Sequence, residues 1–250
     1  MPEGLALALA LPGLWALVAT SLLAGLVYGF AGFGSALIFM PLAVIFLPPA
    51  MAIGAFSMSA LASFVTVVPG AWKVCDRRAV LGMIAAAVVA TPVGVWLLRV
   101  ADAGTIKLAV SVIVLGTLAV LIAGWRFRLR PGWGTRLAIG ALSGILGGST
   151  GLNGPPVILF NLGADQPVAV TRGNLAVFLT VSSLSFLPQL WAQGMLPPLA
   201  LWLGAILFVP YAIGTSLGGL IFRPDRVGIY RPIAYVIIGG AGLAGLPIWS

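Results

Sequence analysis

Long apolar segments separated by short charged links set the pattern of this chain. Six of them are long enough to cross a bilayer, since about 20 apolar residues in a helix span the hydrocarbon core. The ten-residue alternation typical of an outer-membrane barrel and the polar stripes of soluble helices are both missing from the sequence. The pattern predicts an all-α polytopic membrane protein with crossings at 50–72, 79–98, 108–125, 173–192, 196–222 and 232–249.

Two further apolar regions, 11–47 and 137–162, are interrupted by glycine and proline. Each predicts two shorter helices joined by a glycine-rich tip, as in a re-entrant hairpin whose tip lies near the bilayer centre. Residues 11–31 are also long enough to cross alone, so a full crossing is the alternative for that segment.

The two interrupted regions predict an internal duplication. A shift of about 115 residues aligns four positions at once: Gly25 with Gly140, Gly29 with Gly144, Gly32 with Gly147 and Pro41 with Pro156. We therefore expect two repeats, 1–125 and 137–250, each with a hairpin and three transmembrane helices, joined by a basic linker at 126–136. The same shift places Ser57 opposite Arg172 and Ser59 opposite Asn174.

Basic residues orient these helices. The links 73–78, 126–136 and 223–231 hold most of the 13 basic residues, which places them in the cytoplasm by the positive-inside rule. Corresponding loops of the two halves then face opposite sides, and both termini lie outside the cytoplasm. This is an inverted-topology repeat in a bacterial inner membrane, an architecture that binds substrate near the midplane.

Composition narrows the function. With 61% hydrophobic and 7% charged residues, the chain cannot cover a water-soluble globule, and its net charge of +8 serves topology rather than nucleic-acid binding. Glu3 is the only early charge, unlike the basic start of a signal peptide, and the single Cys75 cannot form an intramolecular disulfide. There is no histidine, and the five acidic residues lie at segment ends, so we expect neither an enzyme, a cofactor nor a buried proton relay.

The candidate site combines the two tips with one isolated cation. Exposed amides and helix N-termini at the tips attract anions. Arg172 stands apart from the basic links, and an ionisable residue near the membrane interior is a functional hypothesis. The alternatives are that the glycines only allow close helix packing and that Arg172 extends to the interface. The candidate binding residues are Gly34, Ser35, Ser57, Ser59, Ser149, Thr150, Gly151, Asn153, Thr171, Arg172 and Asn174.

These motifs resemble the sulfite exporter TauE/SafE permeases over almost the whole chain. The resemblance rests on Gly29-Phe30-Ala31-Gly32-Phe33-Gly34-Ser35 before Pro41, on Gly144-Ile145-Leu146-Gly147-Gly148-Ser149-Thr150-Gly151 before Pro156, and on Thr171-Arg172 followed by Asn174. It implies export of a small sulfur anion, such as sulfite or sulfoacetate. Phe33 interrupts the glycine pattern typical of the family. A membrane scaffold that uses the glycines for packing is the second function class, and a homodimer is compatible with the sequence.

Overall fold

The computed structural model describes residues 3–124, 132–164, 166–222 and 227–246, with the backbone alone at 227–231. Within these ranges every regular element is a helix, which confirms the predicted all-α fold. The helices are α1 (Glu3–Leu9), α2 (Leu14–Ala31), α3 (Ser35–Phe46), α4 (Pro49–Ala60), α5 (Ser63–Thr66), α6 (Val68–Trp72), α7 (Arg77–Val100), α8 (Ala103–Ile122), α9 (Trp133–Thr150), α10 (Gly154–Gly163), α11 (Val168–Leu184), α12 (Phe186–Ala192), α13 (Pro198–Ile221) and α14 (Val227–Ala244).

Six helical stretches of the described chain have the length and hydropathy of membrane spans. Five coincide with predicted crossings, and the sixth is α2, whose 18 residues extend about 27 Å at 1.5 Å per residue. The last predicted crossing is represented by α14, whose apolar part, Pro232–Ala244, is shorter than a span. The six stretches are Leu14–Ala31, Pro49–Thr66, Arg77–Val100, Ala103–Ile122, Val168–Ala192 and Pro198–Ile221.

Both hairpins have one long and one short arm. The expectation of a short first helix in the region 137–162 was wrong, because α9 has 18 residues and already begins inside the predicted linker, whose residues 126–131 lie outside the described ranges. The second arms, α3 and α10, have 12 and 10 residues. Long first arms favour crossings that are nearly complete, whereas the depth of each tip in the bilayer stays a prediction.

Two predicted crossings are broken by proline. The segment 50–72 divides into α4, α5 and α6, and the segment 173–192 divides at Ser185. A proline ring clashes with the carbonyl four residues earlier, so Pro69 and Pro188 act on the turns that precede them.

The first arm of each hairpin packs against a helix of the other predicted repeat. Helix α2 lies along α13, and α9 lies along α7. A Cβ atom added to Gly25 would lie 2.6 Å from the carbonyl oxygen of Tyr211, and one added to Gly148 would lie 2.6 Å from that of Thr91. Neither position accepts a side chain unless the helices separate, so close packing is confirmed as a role for these glycines.

Helix ends correct the alignment of the two halves. Helices α2 and α9 end at Gly32 and Gly151, which have φ angles of +78° and +77°. Pro48 and Pro167 both occupy the N-cap position of the helix that follows the short arm. Each pair is 119 residues apart, so the shift of 115 was wrong by about one helical turn. Because the glycines recur every four residues, a shift that is wrong by four residues still aligns glycine with glycine. The inverted orientation of the halves remains a prediction.

The two short arms occupy the interior. From Ser35 to Val44, every residue of α3 except Leu42 is buried, and α10 is almost as enclosed. A helix that is apolar on all sides is stable only when other helices or lipid surround it. Here the surrounding helices bring the two glycine-rich tips to the centre of the molecule.

Candidate functional site

Both glycine-rich tips line one cavity in the centre of the protein. Gly34 and Ser35 come from the first tip, and Asn153 and Gly154 come from the second. Helix α11 adds two hydroxyl groups, and three aromatic residues complete the wall. None of the described residues that line this cavity is acidic. The side chains added by the other helices include Tyr28, Phe56, Thr180, Ser183 and Tyr211.

The first tip presents the start of a helix to the cavity. Gly32 and Gly34 have φ angles of +78° and +98°, values that favour glycine, and they let the chain reverse within three residues. Ser35, Ala36 and Leu37 form the first turn of α3 and line the cavity. Their backbone N–H groups have no carbonyl acceptor within the helix. Such groups at the positive end of a helix dipole favour an anion.

The second tip supplies a side chain instead. Pro155 and Pro156 occupy the first turn of α10 and have no N–H groups, so the expectation of equivalent backbone amides at both tips was wrong. The Asn153 amide nitrogen donates to the Ser182 hydroxyl at 2.9 Å and lies 3.4 Å from the carbonyl oxygen of Leu179. Asn153 therefore fixes the tip to α11 beside the cavity.

Three predicted site residues shape the second tip without lining the cavity. The hydroxyls of Ser149 and Thr150 donate to the carbonyls of Ile145 and Leu146 at 2.9 and 2.7 Å, within their own helix. Gly151 has a φ of +77°, and a Cβ atom there would lie 2.8 Å from the sulfur of Met40. These residues end α9 and start the turn.

The central cavity is narrow in this conformation. Phe39 stacks on Phe56 with ring centres 5.0 Å apart, and Tyr211 meets Phe56 edge-on at 6.1 Å. The remaining free space of about 20 Å³ has room for one or two water molecules. An anion larger than water therefore requires the surrounding helices to separate.

Arg172 lies in a second, larger cleft of about 570 Å³. Its guanidinium donates to the carbonyl oxygen of Gly29 and stacks on Phe222, 4.1 Å from the ring centre. The Arg172 Nε is buried without a hydrogen-bond partner in the described chain, and no described carboxylate lies within 4.0 Å of the guanidinium. The hydroxyls of Thr66 and Thr215, 2.8 Å apart, add polar groups to the wall.

Asn174 belongs to a polar clamp rather than to this cleft. Its side-chain oxygen accepts the backbone N–H of Asp76 at 2.8 Å, and its nitrogen donates to the oxygens of Asn161 and Gln166, both at 3.3 Å. Asp76 also pairs with Arg136 at 3.6 Å. The clamp holds together the beginnings of α7 and α11 and the end of α10.

The other expected neighbours of Arg172 do not reach it. The Ser59 hydroxyl donates to the carbonyl of Phe56 at 2.8 Å, and the Ser57 hydroxyl is buried without a partner among described residues. Thr171 is buried beside Arg172 in sequence but does not line the cleft. The placement of Ser57 and Ser59 opposite Arg172 and Asn174 followed from the shift of 115 residues and was wrong with it.

Sequence reasoning missed the polar residues of α2, α11 and α13 that face the cavity. Tyr28, Thr180, Ser183 and Tyr211 lie in long apolar segments, and Tyr28 is only 1% exposed. Hydroxyl groups in such segments require a partner inside the protein. That requirement was the available signal, although it does not identify the partner.

The comparison with known families agrees with this architecture. A model of the family described as "Sulfite exporter TauE/SafE" matches residues 17–245. The chain belongs to this family. A relative is the probable sulfite/organosulfonate exporter TauE of Cupriavidus necator, which is 28% identical over 200 residues, 78% of each chain. No solved structure is a significant match. The resemblance seen in the glycine-rich segments is thereby confirmed.

Proposed function

We propose that this TauE/SafE protein exports sulfite or a small organosulfonate across the bacterial inner membrane, and that the anion passes through the cavity between the two tips. The observation that carries the proposal is the convergence of the α3 N-terminus with the second tip on one cavity without acidic residues among its described lining. The family and the name of the relative support the substrate class.

The cavity offers the chemistry that such an anion needs. Sulfite and sulfonate groups present several oxygen acceptors, and the cavity presents N–H groups of α3 and the hydroxyls of Ser35, Thr180 and Ser183. These donors are neutral, so they can hold an anion weakly enough to release it, as conduction requires. The rings of Phe56 and Tyr211 can pack against the organic part of a sulfonate.

Arg172 attracts the anion before it reaches this cavity. Its charge has no described carboxylate partner, and its cleft is much larger than the central cavity. A fixed positive charge in a cleft raises the local concentration of anions. Val74 lines the same cleft and belongs to the link 73–78, which is predicted to be cytoplasmic. Entry from that side corresponds to export.

Flux into proteoliposomes tests this function. Purified protein should carry radiolabelled sulfite or sulfoacetate above the rate of empty liposomes. The double substitution Ser35→Ala and Ser183→Ala removes two cavity hydroxyls, and we expect at least about a tenfold loss of flux, because hydrogen bonds to a charged group contribute about 1.5–3 kcal/mol each.

Ser111→Ala is the matched control, since Ser111 is buried on α8 and does not line the cavity. Its flux should equal that of the unsubstituted protein. Absence of flux for sulfite and for every organosulfonate tested, with correctly inserted protein, would favour the scaffold alternative. Equal loss in the control would remove the cavity from the proposed path.

A further inference from the structure

The side chain of Tyr28 lies in the wall between the Arg172 cleft and the central cavity. Tyr28 lines the cavity on one side. On the other side it packs against Val67 and Ala176, and both of these residues line the cleft. The direct route of an anion from the cleft to the tips therefore runs past Tyr28. The ring of Tyr28 therefore stands between residues of the two spaces in this conformation.

Hydrogen bonds hold the Tyr28 ring across this boundary. Its hydroxyl donates to the carbonyl oxygen of Ala176 at 2.8 Å and lies 2.7 Å from the hydroxyl of Thr180. Both partners belong to α11, whereas Tyr28 belongs to α2. The ring thus bridges a helix of the first predicted repeat and a helix of the second. Any separation of α2 from α11 breaks these contacts and opens the boundary.

The next residue connects this boundary to Arg172. The carbonyl oxygen of Gly29 accepts a hydrogen bond from the Arg172 guanidinium. Only the Nη2 group donates to this carbonyl and Nε has no partner among the described residues, so an oxyanion that binds Nε and Nη2 together draws the guanidinium away from Gly29. Anion arrival therefore weakens the attachment of α2 to α11 beside Tyr28.

We propose that Tyr28 is the gate between an outer anion site at Arg172 and an inner site at the tips, and that release of the Gly29 carbonyl by Arg172 favours its opening. The assignment rests on the proposed function for the identity of the anion. The two-site arrangement rests on the geometry alone. Binding lowers the barrier only if the anion binds the open state more tightly than the closed one.

Thiol accessibility tests the gate without a transported substrate. In a Cys75→Ser background, Ser183→Cys places a reporter in the central cavity, and Ser216→Cys places a control in the cleft. An impermeant, negatively charged methanethiosulfonate reagent is added separately to each face of sealed vesicles. The control identifies the face to which the cleft opens.

When the reagent is added to that face, Tyr28→Phe should raise the labelling rate of Ser183→Cys about fivefold, because it removes the hydroxyl and keeps the ring. A net hydrogen-bond contribution of about 1 kcal/mol corresponds to that factor. Tyr28→Ala should raise the rate further. Labelling of Ser216→Cys should not change with either substitution. Sulfite at saturating concentration should accelerate labelling only when Arg172 is present.

Unchanged labelling of Ser183→Cys in both Tyr28 variants would overturn the gate. If Tyr28→Ala does not fold, Tyr28→Phe decides alone, since it leaves the core volume almost unchanged. Faster labelling in a protein that carries no sulfite would retain the gate and remove the proposed substrate. Sulfite flux with labelling that is independent of Tyr28 would retain the proposed substrate and remove the gate.

Discussion

Replacement of Arg172 is the most direct test of the outer anion site. In the structure its guanidinium contacts the Gly29 carbonyl and the ring of Phe222, and it has no described carboxylate partner. Arg172→Ala removes the charge and both contacts. Arg172→Lys retains a charge but loses the planar group that stacks on an aromatic ring and binds an oxyanion through two parallel hydrogen bonds.

The expected effect on binding is larger than the effect on stability. Two unit charges about 4 Å apart attract by about 4 kcal/mol at an effective dielectric constant of about 20, but desolvation of the charges offsets much of this. The net contribution is that of a hydrogen bond to a charged group, about 1.5–3 kcal/mol. The concentration for half-maximal flux should therefore rise about 10- to 100-fold. Loss of the stacking on Phe222 lowers the free energy of unfolding by about 0.5–2 kcal/mol. Removal of a partly buried charge offsets this loss.

Initial flux rates over a range of sulfite concentrations measure the binding effect, and thermal unfolding in detergent measures stability. Arg172→Lys should recover part of the affinity. Arg99→Ala is the control, because it removes the same charge from an exposed position at the end of α7. An unchanged concentration dependence in Arg172→Ala, or an equal shift in Arg99→Ala, would refute a binding role for Arg172.

Three further predictions concern the tip, the clamp and the topology. Gly151→Val should destabilise the protein by about 1–3 kcal/mol, because a branched side chain is strained at a φ of +77°, and should leave flux per folded molecule unchanged; equal melting temperatures would contradict this. Asn174→Ala should cost about 2 kcal/mol or more in denaturant unfolding, because it leaves buried partners unsatisfied, whereas Gln166→Ala removes one contact and should cost less. Impermeant maleimide should label Cys75 from the cytoplasmic face alone, and labelling from the periplasm would overturn the predicted topology. The labelling rate should increase with pH as the thiolate forms, and at higher pH than for an exposed cysteine, because burial raises the pKa of this thiol.

Hydropathy and composition determined the class of this protein. A chain with 61% hydrophobic residues in segments of about 20 has only the bilayer as a suitable solvent, and short-range helical hydrogen bonding satisfies its backbone there. The glycine-rich interruptions were equally informative, because they marked both tips and carried the resemblance to the TauE/SafE family. These features depend on neighbours in sequence, so they can be recognised without tertiary contacts.

The tertiary structure decided which of the candidate residues belong together. A slip of one helical turn leaves a glycine pattern almost unchanged in sequence, but the helix ends at Gly32 and Gly151 fix the alignment. Asn174 looked like a neighbour of the anion, and three side-chain hydrogen bonds place it in a clamp. Side-chain partners of this kind depend on the packing of separate helices and are invisible in a local pattern.

The separation of Arg172 from the tips has the same cause. Both features were recognised from the sequence, but nothing in their spacing indicates that Tyr28 lies between them. The contact of Tyr28 with Ala176 joins residues 148 positions apart and exists because the Tyr28 side chain reaches from α2 to α11. The sequence alone determined the solvent, the helices and the tips of this protein. The packing of those helices decided that a tyrosine divides its polar interior, because only packing brings distant residues into contact.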